Sequence, residues 1–313
     1  MRYRNFGFSI DSDIELPYFI DLNDDVDAEI KISLVYNKPD IPNCAERYAI
    51  NTSKTEQLIC NVVEENDSLI MDFEDYICFK YFKSDSKYCF QYYCYNDYHP
   101  AVKERLIGRF GMAYLLTWMG MTVLHGSAVS INDQAICFVA DSEGGKSSMV
   151  SLCISDGWLM MSDELVVLKK EKDRMILLPS SPYLQIDDET LMKIKSTHFP
   201  YPSVSLQFES EFMEEIQIVN RVNLESVSLC EPSNCKKITV LERGYKGEIK
   251  IHKYKKIDAY IKLLHYLYTP IIFPIMRKNL MSLMEYIQLE KISFNDCFLQ
   301  FENIKNKIMG ELS

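Results

Sequence analysis

The chain has 313 residues, 47% of them hydrophobic and 25% charged, which is ordinary for a globular protein with room for a large core and two domains. Its net charge of -11 excludes general binding to nucleic acid or to an anionic membrane, since either favours a basic surface; local binding of a small anion stays open. The ten cysteines form no CxxC pair and several sit in apolar runs, so the sequence predicts free thiols in a reducing cytoplasm.

The first residues, Met1-Arg-Tyr-Arg-Asn-Phe-Gly7, contain no apolar signal core, and no segment has the length and apolarity of a membrane span. Residues 1–97 read as a β-rich module. Stretches at 29–35, 68–73, 76–82 and 88–94 alternate or run apolar between Asn, Asp, Ser and Lys turns. Their aromatic content suits strands, serving either a packed sheet face or a peptide groove. At Pro100 the pattern changes. Leu106, Phe110, Ala113, Tyr114 and Trp118 place an apolar face on a helix over 101–120, which would join the module to a second region, 98–313.

Ile136-Cys-Phe-Val-Ala140 is an unbroken apolar run and predicts a buried strand; residues 148–154 predict a short helix ending at Asp156-Gly157. Between them lies Ala140-Asp-Ser-Glu-Gly-Gly-Lys-Ser-Ser148. Strand, loop and helix in that order are what phosphate binding at a helix N-terminus requires. Such a loop turns backbone N–H groups toward the anion, extends a lysine to the outer phosphates and places a hydroxyl on the metal. Gly145, Lys146 and Ser147 supply that ending, and Ala140 stands where the full pattern has glycine. The residues expected around a nucleotide are Ala140, Asp141, Ser142, Glu143, Gly144, Gly145, Lys146, Ser147 and Ser148.

A further apolar strand over 158–168 carries Asp163 and Glu164. The pair reads as a polar turn in a buried strand or as acids serving magnesium or a proton. Following a phosphate loop, the second reading is the stronger. Strands are expected at 212–220 and 236–241, and helices at 256–267 and 276–289, with Pro270 and Pro274 between the helices. His265 lies on the first of these helices and reads as a packed core histidine; His198 has no partner in sequence. The loop Arg243-Gly-Tyr-Lys-Gly247 fits either a phosphate contact or a solvated turn. Cys230, Cys235 and His252 lack regular zinc spacing and a fourth ligand.

Three landmarks, Leu124-His-Gly-Ser-Ala-Val129, the loop at 140–148 and Ser162-Asp-Glu164, together resemble the HPr kinase/phosphorylase family. The resemblance covers roughly residues 110 to 190 and extends to peptide-tailoring kinases found with lasso-peptide biosynthesis. It implies an α/β fold with a P-loop kinase core of the HPr kinase C-terminal type, and ATP and Mg2+ as cofactors. By the same resemblance Lys146 neutralises the β- and γ-phosphates, and Ser147, Asp163 and Glu164 contact magnesium. Asp163 is then the base for an acceptor serine on a peptide or protein, with His125 beside it tuning its charge. The implied acceptor is a lasso-peptide precursor, HPr or a small alcohol. Hexamers, familiar in the family, imply a homo-oligomer.

The sequence departs from the family at Glu143, where the family loop has glycine, and Gly144 one residue later supplies flexibility instead. Leu184-Gln-Ile-Asp187 is the nearest equivalent of an acid-Ile-Arg-Gly element, with Gln185 replacing an acid. No counterpart of the dephosphorylation element is present. Ala140 and Glu143 favour a nucleotide sensor without turnover; His125, Lys146, Ser147 and Asp163 favour an enzyme.

Overall fold

The computed structural model describes residues 1–23, 26–51, 57–65, 67–194, 203–211, 215–228, 231–269 and 274–310. Two compact units emerge. The first comprises Met1–Met119, Phe208–Gln217 and Thr269–Phe273, and the second Gly120–Gln207, Ile218–Tyr268 and Pro274–Ser313.

Among the described residues, the first part of the chain supplies β1 (Arg2–Asn5), β2 (Phe8–Ser12), β3 (Ile20–Asp21), β4 (Ile30–Leu34), β5 (Glu46–Asn51), β6 (Gln57–Glu65), β7 (Ser68–Phe73), β8 (Ile77–Ser84) and β9 (Lys87–Cys94) to the first unit. They form one sheet in the order β3-β1-β2-β4-β9-β8-β7-β6-β5. The helical stretch that follows runs through α1 (Pro100–Glu104), a π-helical segment (Arg105–Gly111) and α2 (Met112–Trp118). Its buried Leu106, Phe110, Ala113 and Tyr114 form the expected apolar face. Phe110 packs 5.2 Å from Phe73 between ring centroids, and the Tyr81 hydroxyl donates to the Gly111 carbonyl at 2.9 Å. At Gly111 a Cβ would lie 2.4 Å from Phe90 Cζ, so glycine lets the helix lie this close to the sheet. These contacts hold the helix within the first unit, whereas the sequence reading began the second region at residue 98.

In the second unit the chain runs through β10 (Thr122–His125), β11 (Ser127–Ile131), β12 (Gln134–Val139), α3 (Lys146–Ser155), β13 (Leu159–Ser162), β14 (Leu165–Glu171), β15 (Arg174–Leu178), β16 (Tyr183–Ile186) and α4 (Asp188–Ile194). The chain continues through β17 (Ser203–Glu211) and β18 (Glu215–Asn223), whose residues 208–211 and 215–217 group with the first unit, and then through β19 (Ser233–Arg243), β20 (Lys250–Lys253), α5 (Lys256–His265), α6 (Pro274–Leu283), β21 (Gln288–Phe294) and α7 (Cys297–Gly310). The large sheet has the order β10-β14-β15-β19-β12-β11-β13, with β21 also pairing β19 and β20. A small sheet has the order β16-β18-β17. The result is a mixed α/β fold with large sheets.

Strands β12, β19 and β21 are mutually parallel. Side chains alternate across a strand, so Ile136 and Phe138 of β12 join one apolar cluster with α3 and α7, while Cys137 and Val139 join another with α5 and α6. Burial on both faces is why this strand reads as an uninterrupted apolar run.

Several elements depart from the sequence expectation. The strand over 158–168 is two strands: β13 pairs β11 and β14 pairs β10, with Asp163 and Glu164 turning the chain between them and Glu164 at φ 66°. The helix over 276–289 is α6 alone, beginning at Pro274 because proline is tolerated in a first turn. It closes through Ile287 N–H on the Leu283 carbonyl, and Leu289 belongs to β21, buried with Ile292 and Phe294. The strand expected at 236–241 is longer, β19 beginning at Ser233 and ending at Arg243, and β18 begins at Glu215. His198, Cys230 and Pro270 lie outside the described residues.

Candidate nucleotide site

Two chain joints meet beside the carboxyl end of β12. One is Gly126, the single residue between β10 and β11; the other is Asp163-Glu164, between β13 and β14. The Gly126 N–H donates to the Glu164 carbonyl at 3.1 Å. A Cβ on Gly126 would lie 2.6 Å from the Phe138 carbonyl oxygen, so the His-Gly landmark records a steric requirement of the joint. His125 itself is exposed, with its ring centroid 6.0 Å from that of Tyr268.

Asp163 sits half-buried in its joint. Its Oδ1 accepts the Ser127 hydroxyl at 2.6 Å and its Oδ2 accepts the Gln185 backbone N–H at 3.0 Å. Burial pushes its carboxyl up to about 6, and the like charge of Glu164 adds to this; the Ser127 and Gln185 hydrogen bonds and the Lys146 charge oppose it. The side-chain Oε1 of Gln185 is buried without a hydrogen-bond partner. Ser127 falls within the Leu124–Val129 landmark, but its role comes only with the structure, because a serine in an apolar strand carries no signal until its partner is known.

The loop leaves β12 at Ala140 and enters α3 at Lys146. Gly145 precedes the helix at φ 88°, Glu143 is left-handed at φ 59°, and the Gly144 N–H closes a turn on the Asp141 carbonyl at 3.0 Å. Gly144 is therefore not the residue that takes the left-handed conformation. Its role is spatial, since a Cβ there would lie 2.5 Å from the Ala140 methyl. Asp141, Ser142 and Glu143 are exposed.

Lys146 folds back so that Nζ donates to the Ala140 carbonyl at 3.2 Å. Burial lowers its pKa, and the charges of Asp163, Glu164 and Asp141 oppose that shift, which places the ammonium within electrostatic reach of all three acids. Ser147 begins the helix beside Lys146. Ser148 is buried, its hydroxyl 3.0 Å from that of Thr190, which is held by Asp187 at the start of α4.

His265 is not a core residue. It ends α5 with its side chain 64% exposed and Nε2 3.0 Å from Asp141 Oδ1. The contact spans 124 positions, beyond any sequence motif. The loop at 243–247 continues from β19, with the Tyr245 N–H on the Phe294 carbonyl and the Lys250 ammonium 5.0 Å from the Tyr245 ring centroid.

Three features fit a magnesium nucleotide: the glycine-containing loop at the N-terminus of a ten-residue helix, the lysine folded over that loop, and the orphaned Gln185 acceptor beside Asp163. No group of three or more His, Cys, Asp or Glu suited to a metal occurs among the described residues. That donor set suits magnesium shared with phosphates, which needs only one or two carboxylates from the protein.

No family model matches the chain, and no curated protein matches it. Among solved structures, it is similar to the Hpr(Ser) kinase/phosphatase from Coxiella burnetii at 13% identity and a TM-score of 0.33, over 60% of this chain and 93% of the other. No helix among the described residues is long and apolar enough to cross a membrane.

Proposed function

We propose that the chain is an ATP- and magnesium-dependent kinase that phosphorylates a serine hydroxyl of a peptide or protein. The observation that carries this reading is the pairing of Lys146, folded over a helix-capping loop, with Asp163, a carboxyl whose pKa is raised to about 6. A positive group for phosphates and a basic group for a hydroxyl are the two parts that phosphoryl transfer asks of a protein.

Lys146 would neutralise the outer phosphates, assisted by the loop N–H groups and the positive end of α3. Ser147, Asp163, Glu164 and the Gln185 amide oxygen would hold the metal, which supplies charge neutralisation on the phosphates when bound. Each Asp163 oxygen already accepts one hydrogen bond, so the carboxylate is fixed in orientation while retaining lone pairs for the acceptor hydroxyl. A raised pKa makes it a better proton acceptor near neutrality than an ordinary aspartate. His125, exposed at the same joint, would border the acceptor. A lasso-peptide precursor, as the sequence resemblance implies, is the first acceptor to try.

Incubating the full chain with Mg-ATP and a serine-containing peptide library, then scoring phosphate gain by mass spectrometry, tests the reading. Phosphopeptide formation by the wild type and its loss in Asp163→Asn are expected. Nucleotide binding without phosphate gain on any peptide, protein or small alcohol would favour the sensor reading.

A further inference from the structure

We infer that His265, with Tyr266, positions the phosphate loop by holding the Asp141 carboxylate to the end of α5 and away from the phosphate cradle. The inference rests on the nucleotide reading of the loop. That loop carries two exposed acids, Asp141 and Glu143, beside one lysine, so on charge alone it would repel the anion it is shaped to receive. The Asp141 carboxylate is nevertheless engaged. His265 Nε2 lies 3.0 Å from Oδ1, and next to it in the chain burial, followed by the Asp141 charge, raises the pKa of the Tyr266 hydroxyl, so that hydroxyl lies within electrostatic reach of the same carboxylate.

A lone exposed histidine–aspartate contact contributes little, because water competes for both partners. Here the histidine is anchored through its neighbour. Tyr266 is buried, and its ring packs edge-on to that of His265 at 5.1 Å. The backbone of the same segment runs along β10: the His125 N–H donates to the Tyr266 carbonyl at 2.8 Å, and the Tyr268 N–H to the Val123 carbonyl at 3.1 Å. Residues 265–268 thus tie the loop, through Asp141, to the strand that carries His125. The Asp141 main chain is committed as well, since its carbonyl accepts the Gly144 N–H that closes the loop turn. Fixing the side chain therefore fixes the start of the turn. The neutral imidazole suffices, because Nε2–H can donate to the carboxylate. His265 is a positioning residue, acting on the nucleotide through Asp141, and Tyr266 anchors it.

Calorimetry of Mg-ATP and hydrogen exchange of residues 141–146, both on the full chain, test this together. His265→Ala should weaken Mg-ATP binding about tenfold, the scale of one charge-assisted hydrogen bond, and speed exchange of the loop amides. His265→Gln, which keeps an N–H donor, should recover most of both. In an Asp141→Asn background, His265→Ala should have a further effect of about twofold or less, because the group it holds has lost its charge. Unchanged affinity and exchange in His265→Ala, or an equal loss in both backgrounds, would overturn the inference. If the wild type binds no Mg-ATP, the nucleotide reading fails, and loop exchange alone decides the latch: faster in His265→Ala and restored in His265→Gln supports it, unchanged rejects it.

Discussion

Asp163 combines a stability penalty with a chemical use. Its folded pKa, about 6, lies above the ordinary aspartate value of 3.8, so folding is favoured when the group is protonated. Below the ordinary value both folded and unfolded chains are protonated and no penalty exists. As pH rises through 6, the folded state must carry a desolvated charge, and stability falls. Asp163→Asn should therefore raise stability by about 1–3 kcal/mol at pH 7 to 8 and leave it unchanged near pH 3, measured by denaturant unfolding at each pH. The amide can keep both partners, with Oδ1 on the Gln185 N–H and Nδ2 on the Ser127 hydroxyl oxygen. Phosphotransfer should fall by about 10²- to 10⁴-fold in the same variant while Mg-ATP still binds, the range for loss of a general base. Equal stability of the two proteins at pH 8 would show that the carboxylate carries no folding penalty.

Ser127 gives an independent check at the same scale. Its hydroxyl stabilises the ionised carboxylate, so Ser127→Ala should move the Asp163 pKa higher still. The acid limb of the kcat/KM profile for phosphotransfer should shift to higher pH, with the plateau at alkaline pH less affected. A shift to lower pH would reverse the assigned role of that hydrogen bond.

Among the elements, glycine is required at the Gly126 joint and at Gly144 in the loop, as it is at Gly111. Gly126→Ala would drive a Cβ against the backbone carbonyl of Phe138, which cannot rotate aside, and should cost about 1–3 kcal/mol in thermal unfolding experiments. Gly144→Ala meets instead the Ala140 methyl and the Asp141 carbonyl. It should weaken Mg-ATP binding, and adding Ala140→Gly should recover part of the loss by removing the closer contact. No recovery would place the obstruction at Asp141 alone.

The strand, loop and helix from 134 to 155 were legible because each is encoded locally: a doubly buried strand is apolar throughout, and the loop carries its own glycines. The Asp163-Glu164 turn was not, because the apolar run continues on both sides and the break is set by pairing to two different strands. Asp163 was found through its landmark, but the Ser127 and Gln185 groups that hold it come from strands brought together by the fold. His265 was misread for a related reason. Its position on an apolar helix suggested the core, yet it falls at the helix end, where the chain turns toward the loop. Nothing in the sequence pattern of 284–310 outweighed the apparent continuation of α6, so β21 and α7 were missed.

For the whole molecule, the boundary at Met119 and Gly120 changes where a truncation should fall, although Phe208–Gln217 and Thr269–Phe273 also group with the first unit. A fragment beginning at Pro100 would carry Leu106, Phe110 and Tyr114 without the sheet that buries them, whereas a fragment of residues 120–313 retains both apolar clusters around β12. The shorter fragment should therefore stay monodisperse in size-exclusion chromatography where the longer aggregates, and should keep Mg-ATP binding. If the β-rich first unit selects the acceptor, the shorter fragment should also lose most peptide phosphorylation, because remote binding energy no longer positions the hydroxyl. Undiminished peptide turnover would assign selection to the second unit instead.

Calorimetry of Mg-ATP against wild type and Lys146→Ala tests most directly whether the loop at 140–148 binds a nucleotide through Lys146. Loss of a half-buried ammonium that neutralises phosphates should weaken binding at least about 100-fold, corresponding to about 2.8 kcal/mol. Equal affinity in the two proteins, or no binding by a folded wild type, would contradict it.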